Sequence, residues 1–267
     1  MKIILKSRRE IEHMRKAGNA AGRIVRAMCD ACQPGVTTAE VGKICDDMLA
    51  ECGGRGLSKN YPTYEPGKGF PASSCISVNE EVVHGIPSKR RKLRNGDIVT
   101  CDLAMILDGY CADHAWTVGV GDIGEEAARL LDDGKRTLRL ALERMRPDVK
   151  WSSVAGEMET FAKDLGYGVV QEFVGHGIGR SMHEDPKVPN FVNTEQLRDD
   201  FRLRPGLTIA VEPMLICGGN RNVEQPNGDG WTVTSESRRL TCHFEHTVAV
   251  TANGVDVLTD GSDPWGI

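Results

Sequence analysis

A chain of 267 residues can form one large α/β unit or two small ones, and either can bury a core of its own. A formal charge of −5 argues against a dedicated nucleic-acid binder, which needs a basic surface, so no DNA partner is expected. No stretch approaches a membrane span and Met1–Lys6 is too short an apolar run for a signal peptide, so a cytoplasmic protein without a membrane partner is expected.

Ser7 and Glu10 form a capping-box pattern, and Ile11, Met14, Ala21, Ile24, Val25 and Met28 follow at helical spacing until Pro34-Gly35 stops the run. Thr37 and Glu40 open a second helix through Val41, Ile44, Met48 and Leu49, closed by Gly53-Gly54. A Gly- and Pro-rich loop to about Ala72 leads to a strand at Cys75–Val78. The nine cysteines are odd in number and scattered, which argues against a disulfide framework. Cys29-x2-Cys32, with Cys45 and Cys52 as a second pair, invites a zinc reading, but both pairs fall inside helical patterns and read better as buried thiols. The basic run Lys89–Arg94 stands out on an acidic chain, as a solvated loop or as an electrostatic contact with RNA such as the ribosome.

Residues 98–118 read as a β-hairpin about Asp108-Gly109, a pair suited to a turn in which both residues take positive φ. A two-residue turn sets Leu107 opposite Tyr110 and Ala104 opposite Asp113. Asp102, Ala104 and Asp113 then share one face, with Asp102 the diagonal neighbour of Asp113 at roughly 7–8 Å between Cα atoms. The opposite face, Leu103, Met105, Leu107, Tyr110 and Trp116, is core. Two acids aimed together repel unless a cation lies between them, so a metal is the reading set against two solvated acids on an exposed face.

After Asp122 a similar order returns: helices over Arg129–Met145 and Ser152–Leu165, then strands near Val169–Phe173, Leu207–Met214, Trp231–Thr234 and Cys242–Thr251. Pro34, Val36, Val41 and Gly53 match Pro147, Val149, Val154 and Gly166 at a constant offset of 113 (147 − 34). The reading is an α/β (α+β) fold made of two pseudo-symmetric helix-helix-sheet halves, about 7–121 and 122–251, packed into a single catalytic domain around a cleft.

The second half adds Gly175-His176-Gly177, Glu212 inside an otherwise apolar run before Pro213, and Glu245 in His243-Phe-Glu-His. The glycines beside His176 would let backbone approach a ligand, and His176 would sit at the tip of the strand before it. A buried Glu212 needs a partner, and a cation is one. Two Asp, two Glu and one His make a hard-oxygen donor set with a single imidazole, suited to a catalytic site holding Mn, Fe, Co or Zn rather than to a closed structural zinc site.

These motifs together resemble type I methionine aminopeptidase, of the pita-bread metallopeptidase fold. The match runs from Val78-Asn-Glu-Glu-Val-Val-His84-Gly-Ile-Pro through Asp102-x10-Asp113, Gly175-His176-Gly-Ile-Gly, His183-Glu-Asp-Pro, Val211-Glu212-Pro-Met and Asp229-Gly-Trp231 to Phe244-Glu245-His-Thr-Val, in the family's order over nearly the whole chain. The resemblance implies a central antiparallel sheet and a site for two divalent ions held by Asp102, Asp113, His176, Glu212 and Glu245. It implies an activity that removes the N-terminal methionine from nascent chains and peptides with a small second residue, through a metal-bridging hydroxide, and a monomer is expected. Glu212 would accept the proton of that water, and His84 and His183 would contact the substrate, stabilising the tetrahedral intermediate and assisting the leaving nitrogen. Phe70, Cys75, Met182 and Trp231 would line the pocket for the methionine side chain.

Three positions depart from the family's commoner pattern: Ala104 in place of a hydroxyl residue, His243 in place of Gln, and His114 directly after Asp113. Alternation puts His243 on Glu245's face, where it would touch a metal ligand or the metal itself, whereas His114 would point to the apolar face with Trp116 and be structural. The competing activity is a proline-specific peptidase of the same fold, and the competing class is a non-catalytic binding module.

Overall fold

The computed structural model describes residues 2–62, 69–226 and 228–261, so part of the expected Gly- and Pro-rich loop lies outside the described residues. Helices α1 (Arg8–Asp30) and α2 (Thr38–Cys52) begin and end close to where capping patterns and glycines place them, α4 (Trp151–Asp164) lies within a residue of its expected bounds, and α3 (Glu125–Arg144) begins four residues before the expected Arg129. Ser7 and Thr37 cap α1 and α2 with reciprocal bonds to Glu10 and Glu40, and Gly53 closes α2 in the left-handed region. Cys29, Cys32 and Cys45 are buried thiols, as the helical patterns suggested, and all nine cysteines are free.

Among the described residues the strands lie in four sheets, all antiparallel as expected. One contains the hairpin of strands Ile98–Leu107 and Tyr110–Gly119, turned by Asp108 and Gly109 at φ 50° and 81°. Leu107 pairs with Tyr110, Ala104 with Asp113 and Asp102 with Ala115, which is the register the turn residues imply. Leu103, Met105 and Trp116 are fully buried in the main core, but Tyr110 belongs to a smaller cluster with Met14, Ile178 and Leu258. The loop before the hairpin also holds a short strand, Arg55–Gly56, paired with Met105 and Ile106.

Two expected strands of the second half are broken where the carboxylates fall. Thr208–Val211 and Met214–Cys217 are separated at Glu212-Pro213, where proline supplies no N–H, and Thr241–His243 is separated from His246–Thr251 at Phe244-Glu245. Val211 pairs with His246 and Met214 with His243, so the register is the same on both sides of the break.

The weak repeat read from four residues has a backbone counterpart. Leu93 N–H donates to Val36 O, and Leu203 N–H to Val149 O, at 2.8 and 2.9 Å. Gly96 N–H donates to Val120 O and Gly206 N–H to Val250 O, both at 2.9 Å, and these glycines share φ 94° and 93°. The corresponding residues are offset by 113 around the second helix of each half, by 110 on the first long strand (206 − 96) and by 130 on the second (250 − 120).

Candidate metal centre

Where the two halves meet, the second hairpin strand runs antiparallel to residues 243–247. Glu245 N–H donates to Ala115 O at 2.9 Å. On one side of this contact the Thr247 hydroxyl accepts from Asp113 N–H (2.9 Å) and donates to Asp113 O (2.8 Å). On the other, the Thr117 hydroxyl accepts from His243 N–H (2.9 Å) and donates to His243 O (2.8 Å). Two threonines thus clamp the backbone of Asp113 and of His243, and Asp113, Glu245 and His243 line one cavity.

That cavity, of about 280 Å³, is lined by all eleven residues singled out from the sequence: Asp102, Asp113, His176, Glu212, Glu245, His84, His183, Phe70, Cys75, Met182 and Trp231. Ligand-type atoms of Asp113, His176 and Glu245 lie within 4.8 Å of one another. His176 Nε2 is 3.6 Å from Asp113 Oδ2 and 3.7 Å from Glu212 Oε1, while its Nδ1–H donates to Gly177 O at 2.9 Å and so turns Nε2 into the site. His176 sits within its own strand, Gly175–Gly177, between two neighbours of a five-stranded sheet, and not at the tip of the preceding one, Tyr167–Val169. Its flanking glycines serve that sheet: a Cβ at Gly175 would meet Ala210 O at 2.4 Å and one at Gly177 would meet Asp185 O at 2.2 Å. They admit neighbouring backbone rather than a ligand, because a central strand of this sheet is squeezed from both sides.

The electrostatics are those of an acid cluster without its counter-charge. Burial, reinforced by the neighbouring Asp113, pushes Asp102 and Glu245 well above the usual carboxylate range. Burial raises Glu212 to about 7 although the His176 charge pulls the other way. Burial opposes a charge on His176, yet Asp113 and Glu212 outweigh it and raise the ring to about 9, so a proton stands where a cation would. Glu245 Oε1 is buried without a hydrogen-bond partner, and among the described residues no lysine or arginine pairs with any of the four carboxylates. A carboxylate-rich cluster with one inward imidazole and an orphaned buried oxygen fits divalent metal ions.

Beside the acids lies a histidine and aromatic rim. His84 has φ 61°, an uncommon conformation for a residue with a Cβ, and packs edge-on against Phe173 and Trp231. Burial, with the nearby His183, lowers its pKa to about 4, so it is neutral at neutral pH. The His183 ring stands 4.4 Å from that of His176, and its Nδ1 is 3.2 Å from the Tyr61 hydroxyl. Desolvation and the His176 charge lower the His183 pKa. Glu184 holds this loop: it accepts from Arg180 N–H and from the buried Lys6 ammonium at 2.9 and 2.6 Å. Trp231 meets Phe70 edge to face at 5.2 Å.

Tyr61 and Phe173 also line the cavity and were not singled out from sequence. Phe173 had a signal in its place two residues before Gly175; Tyr61 had none, being 122 residues from the His183 it touches. Of the departing positions, Ala104 and His243 both line the cavity. His114 is fully buried at 4.9 Å from His246, donating from Nδ1 to Glu245 O, so it is structural as expected but braces a candidate ligand.

Residues 12–252 match metallopeptidase family M24, and the chain belongs to that family. It is 39% identical over 260 residues to a methionine aminopeptidase of Clostridium acetobutylicum, covering 96% of this chain and 98% of the relative. The crystal structure of methionine aminopeptidase from Rickettsia prowazekii superposes with a TM-score of 0.89 at 32% identity, covering 97% of this chain and all of that one. A prolidase from Pyrococcus furiosus matches with a TM-score of 0.72 at 22% identity over 96% of this chain and 65% of its own, a likeness of fold alone. The mixed α/β architecture is therefore the pita-bread fold of these peptidases.

Proposed function

We propose that the chain removes the N-terminal methionine from peptides and nascent proteins with a small second residue, using two divalent ions, Co, Mn, Fe or Zn. The observation that carries this reading is one cavity that joins four acids and an inward imidazole to an apolar wall. Both halves contribute donors, so in this reading the chain works as a single catalytic unit. Asp102, Asp113, His176, Glu212 and Glu245 would hold the metal. Bound divalent ions supply Lewis acidity toward the scissile carbonyl and bring the pKa of a bound water toward neutrality.

The residues divide the remaining work. Glu212, with Oε1 facing His176 and Oε2 facing His243, would take the proton of the attacking water and pass it to the leaving nitrogen. As the water oxygen bonds to the carbonyl carbon, negative charge grows on the carbonyl oxygen; His183, neutral and on the rim, would donate a hydrogen bond to it from Nε2. His84, kept neutral by burial, would assist the departing nitrogen. Phe70, Cys75, Met182 and Trp231 give a methionine side chain an apolar, partly sulfur-bearing wall, and 280 Å³ suits one side chain rather than a longer segment. The exposed Lys89, Arg90, Arg91, Lys92 and Arg94 support a contact with the ribosome, where nascent N-termini emerge. Among the described residues no helix is long and apolar enough to cross a membrane.

The test is metal-reconstituted protein offered Met-Ala-Ser, Met-Lys-Ser and Ala-Pro peptides. Release of free methionine from the first alone is expected. Cleavage only of the proline peptide would move the chain to the proline-specific branch, and no cleavage with any of the four metals would favour a binding module.

A further inference from the structure

The offsets that relate the two halves also relate their site positions. On the first long strand of each half the offset of 110 carries Asp102 onto Glu212 (102 + 110), and on the second the offset of 130 carries Asp113 onto His243 (113 + 130) and Ala115 onto Glu245 (115 + 130). The threonine clamps obey the same relation, since Thr117 carries onto Thr247 and each grips the partner's mate. His243 therefore occupies, in the second half, the backbone position that holds Asp113 in the first.

Its side chain is left without a partner there. His243 is 3% exposed, and neither ring nitrogen has a hydrogen-bond partner. The polar atom facing it is Glu212 Oε2, 3.7 Å from Nε2, while Glu212 Oε1 faces His176 Nε2 at the same distance. A separation of 3.7 Å is outside hydrogen-bond range, and leaving a buried N–H unpaired is costly, so the pair has reason to close. His243 Nε2 thus lies against the Glu212 oxygen opposite the one that faces His176.

We infer that His243 is a positioning residue: its Nε2–H donates to Oε2 of Glu212 in the metal-loaded protein, leaving Oε1 to face the ligand cluster. This rests on the metal site proposed above. The interaction ties the Glu212 carboxylate to a backbone position clamped by Thr117, as Thr247 clamps Asp113 directly. A donor at this point, rather than an imidazole as such, is what the geometry requires. Glutamine, whose terminal amide nitrogen reaches about as far as Nε2, therefore satisfies it.

The experiment titrates Mn²⁺ and Co²⁺ by calorimetry into metal-free wild type, His243→Gln and His243→Leu, with the metal-free melting temperature of each measured alongside. His243→Leu is expected to bind 10–100-fold more weakly, on the order of losing one partner of a metal ligand, and His243→Gln to stay within about threefold of wild type. The visible spectrum of the Co²⁺-loaded Leu variant is expected to change, and that of the Gln variant to stay as in wild type. Equal affinity in wild type and Leu, or a Gln variant as weak as Leu, would overturn the inference; a drop in melting temperature with unchanged affinity would make His243 a packing residue. Should the Leu variant fail to fold, His243→Met removes the donor with a more adaptable side chain. Failure of wild type to bind either ion would sink the metal reading itself, which separates that failure from this one.

Discussion

The two strand pairs that frame the site are built alike and furnished differently. The first half's hairpin offers Asp102 and Asp113, with Ala115 opposite Asp102; the second half's broken ladder offers Glu212 and His243, with Glu245 where the first half has Ala115. The repeated part is backbone, and it decides where donors project. The unrepeated part is side chain: in the cavity the first half sets Asp102, Asp113 and His84, and the second sets Glu212, Glu245 and the imidazoles of His176, His183 and His243. A near-symmetric frame thus carries an asymmetric set of side chains.

The sharpest way to break that comparison is to neutralise the first half. Asp102→Asn keeps the shape and the register but removes a charge that burial already opposes in the metal-free protein. Metal affinity is expected to fall by about 100-fold or more, with turnover following it. The melting temperature of the metal-free protein is expected to hold or rise, because a buried acid without a counter-charge is destabilising and its amide is not. Calorimetry and a metal-free melting curve check both halves of the statement. A variant that melts well below wild type while still binding metal would show that Asp102 is structural.

The same asymmetry explains what was legible in the chain. Asp108-Gly109 sets a local register, so the shared face of Asp102 and Asp113 followed from counting along ten residues on each side. The capping boxes at Ser7 and Thr37 are equally local. The crossing of residues 113–117 with 243–247 is not: it joins positions about 130 apart through two threonine hydroxyls, and no periodicity reports such a contact. Glu212 and Glu245 were visible as acids in apolar runs, but the breaks they sit in were not, since a strand interrupted at Pro213 still reads as one apolar segment. The role of Gly175 and Gly177 was misjudged because a glycine announces close approach without saying whether a ligand or a neighbouring strand does the approaching.

The clamps give a second, smaller test. Thr247→Val and Thr117→Val each replace a hydroxyl by a methyl of similar size, and each strands one backbone N–H and one carbonyl; Thr117 also loses the Thr100 hydroxyl at 2.8 Å. Each is expected to lower stability by about 2–3 kcal/mol, read as a shift in urea midpoint at unchanged m. They should part in metal affinity, with Thr247→Val losing about tenfold because it frees Asp113, and Thr117→Val less because it frees a residue behind a ligand. Equal losses of affinity would mean that the crossing acts as one rigid piece.

The smallest effect concerns His114, which braces Glu245 from the apolar side. Burial lowers its pKa to about 4, against an ordinary value near 6.5, although its bond to Glu245 O and the nearby Asp113 oppose the shift. The unfolded chain therefore takes up this proton from about pH 6.5 downward while the folded chain resists until about 4. The stability attached to the neutral ring is complete above 6.5 and is lost as pH falls through that window. Asp102, Glu212 and Glu245 are shifted upward and act in the opposite sense over part of the same range, so the melting curve of wild type alone does not isolate the histidine. The informative quantity is the stability gap between metal-free wild type and His114→Asn, which keeps a donor for Glu245 O but does not titrate. That gap is expected to shrink by about 1 kcal/mol between pH 7.5 and 5.5, measured by urea unfolding. A gap that stays constant would mean that His114 titrates alike in the folded and unfolded chain, and a gap that widens as pH falls would mean that the ring is protonated in the folded protein, held by the Glu245 carbonyl and the acid cluster against the cost of burial.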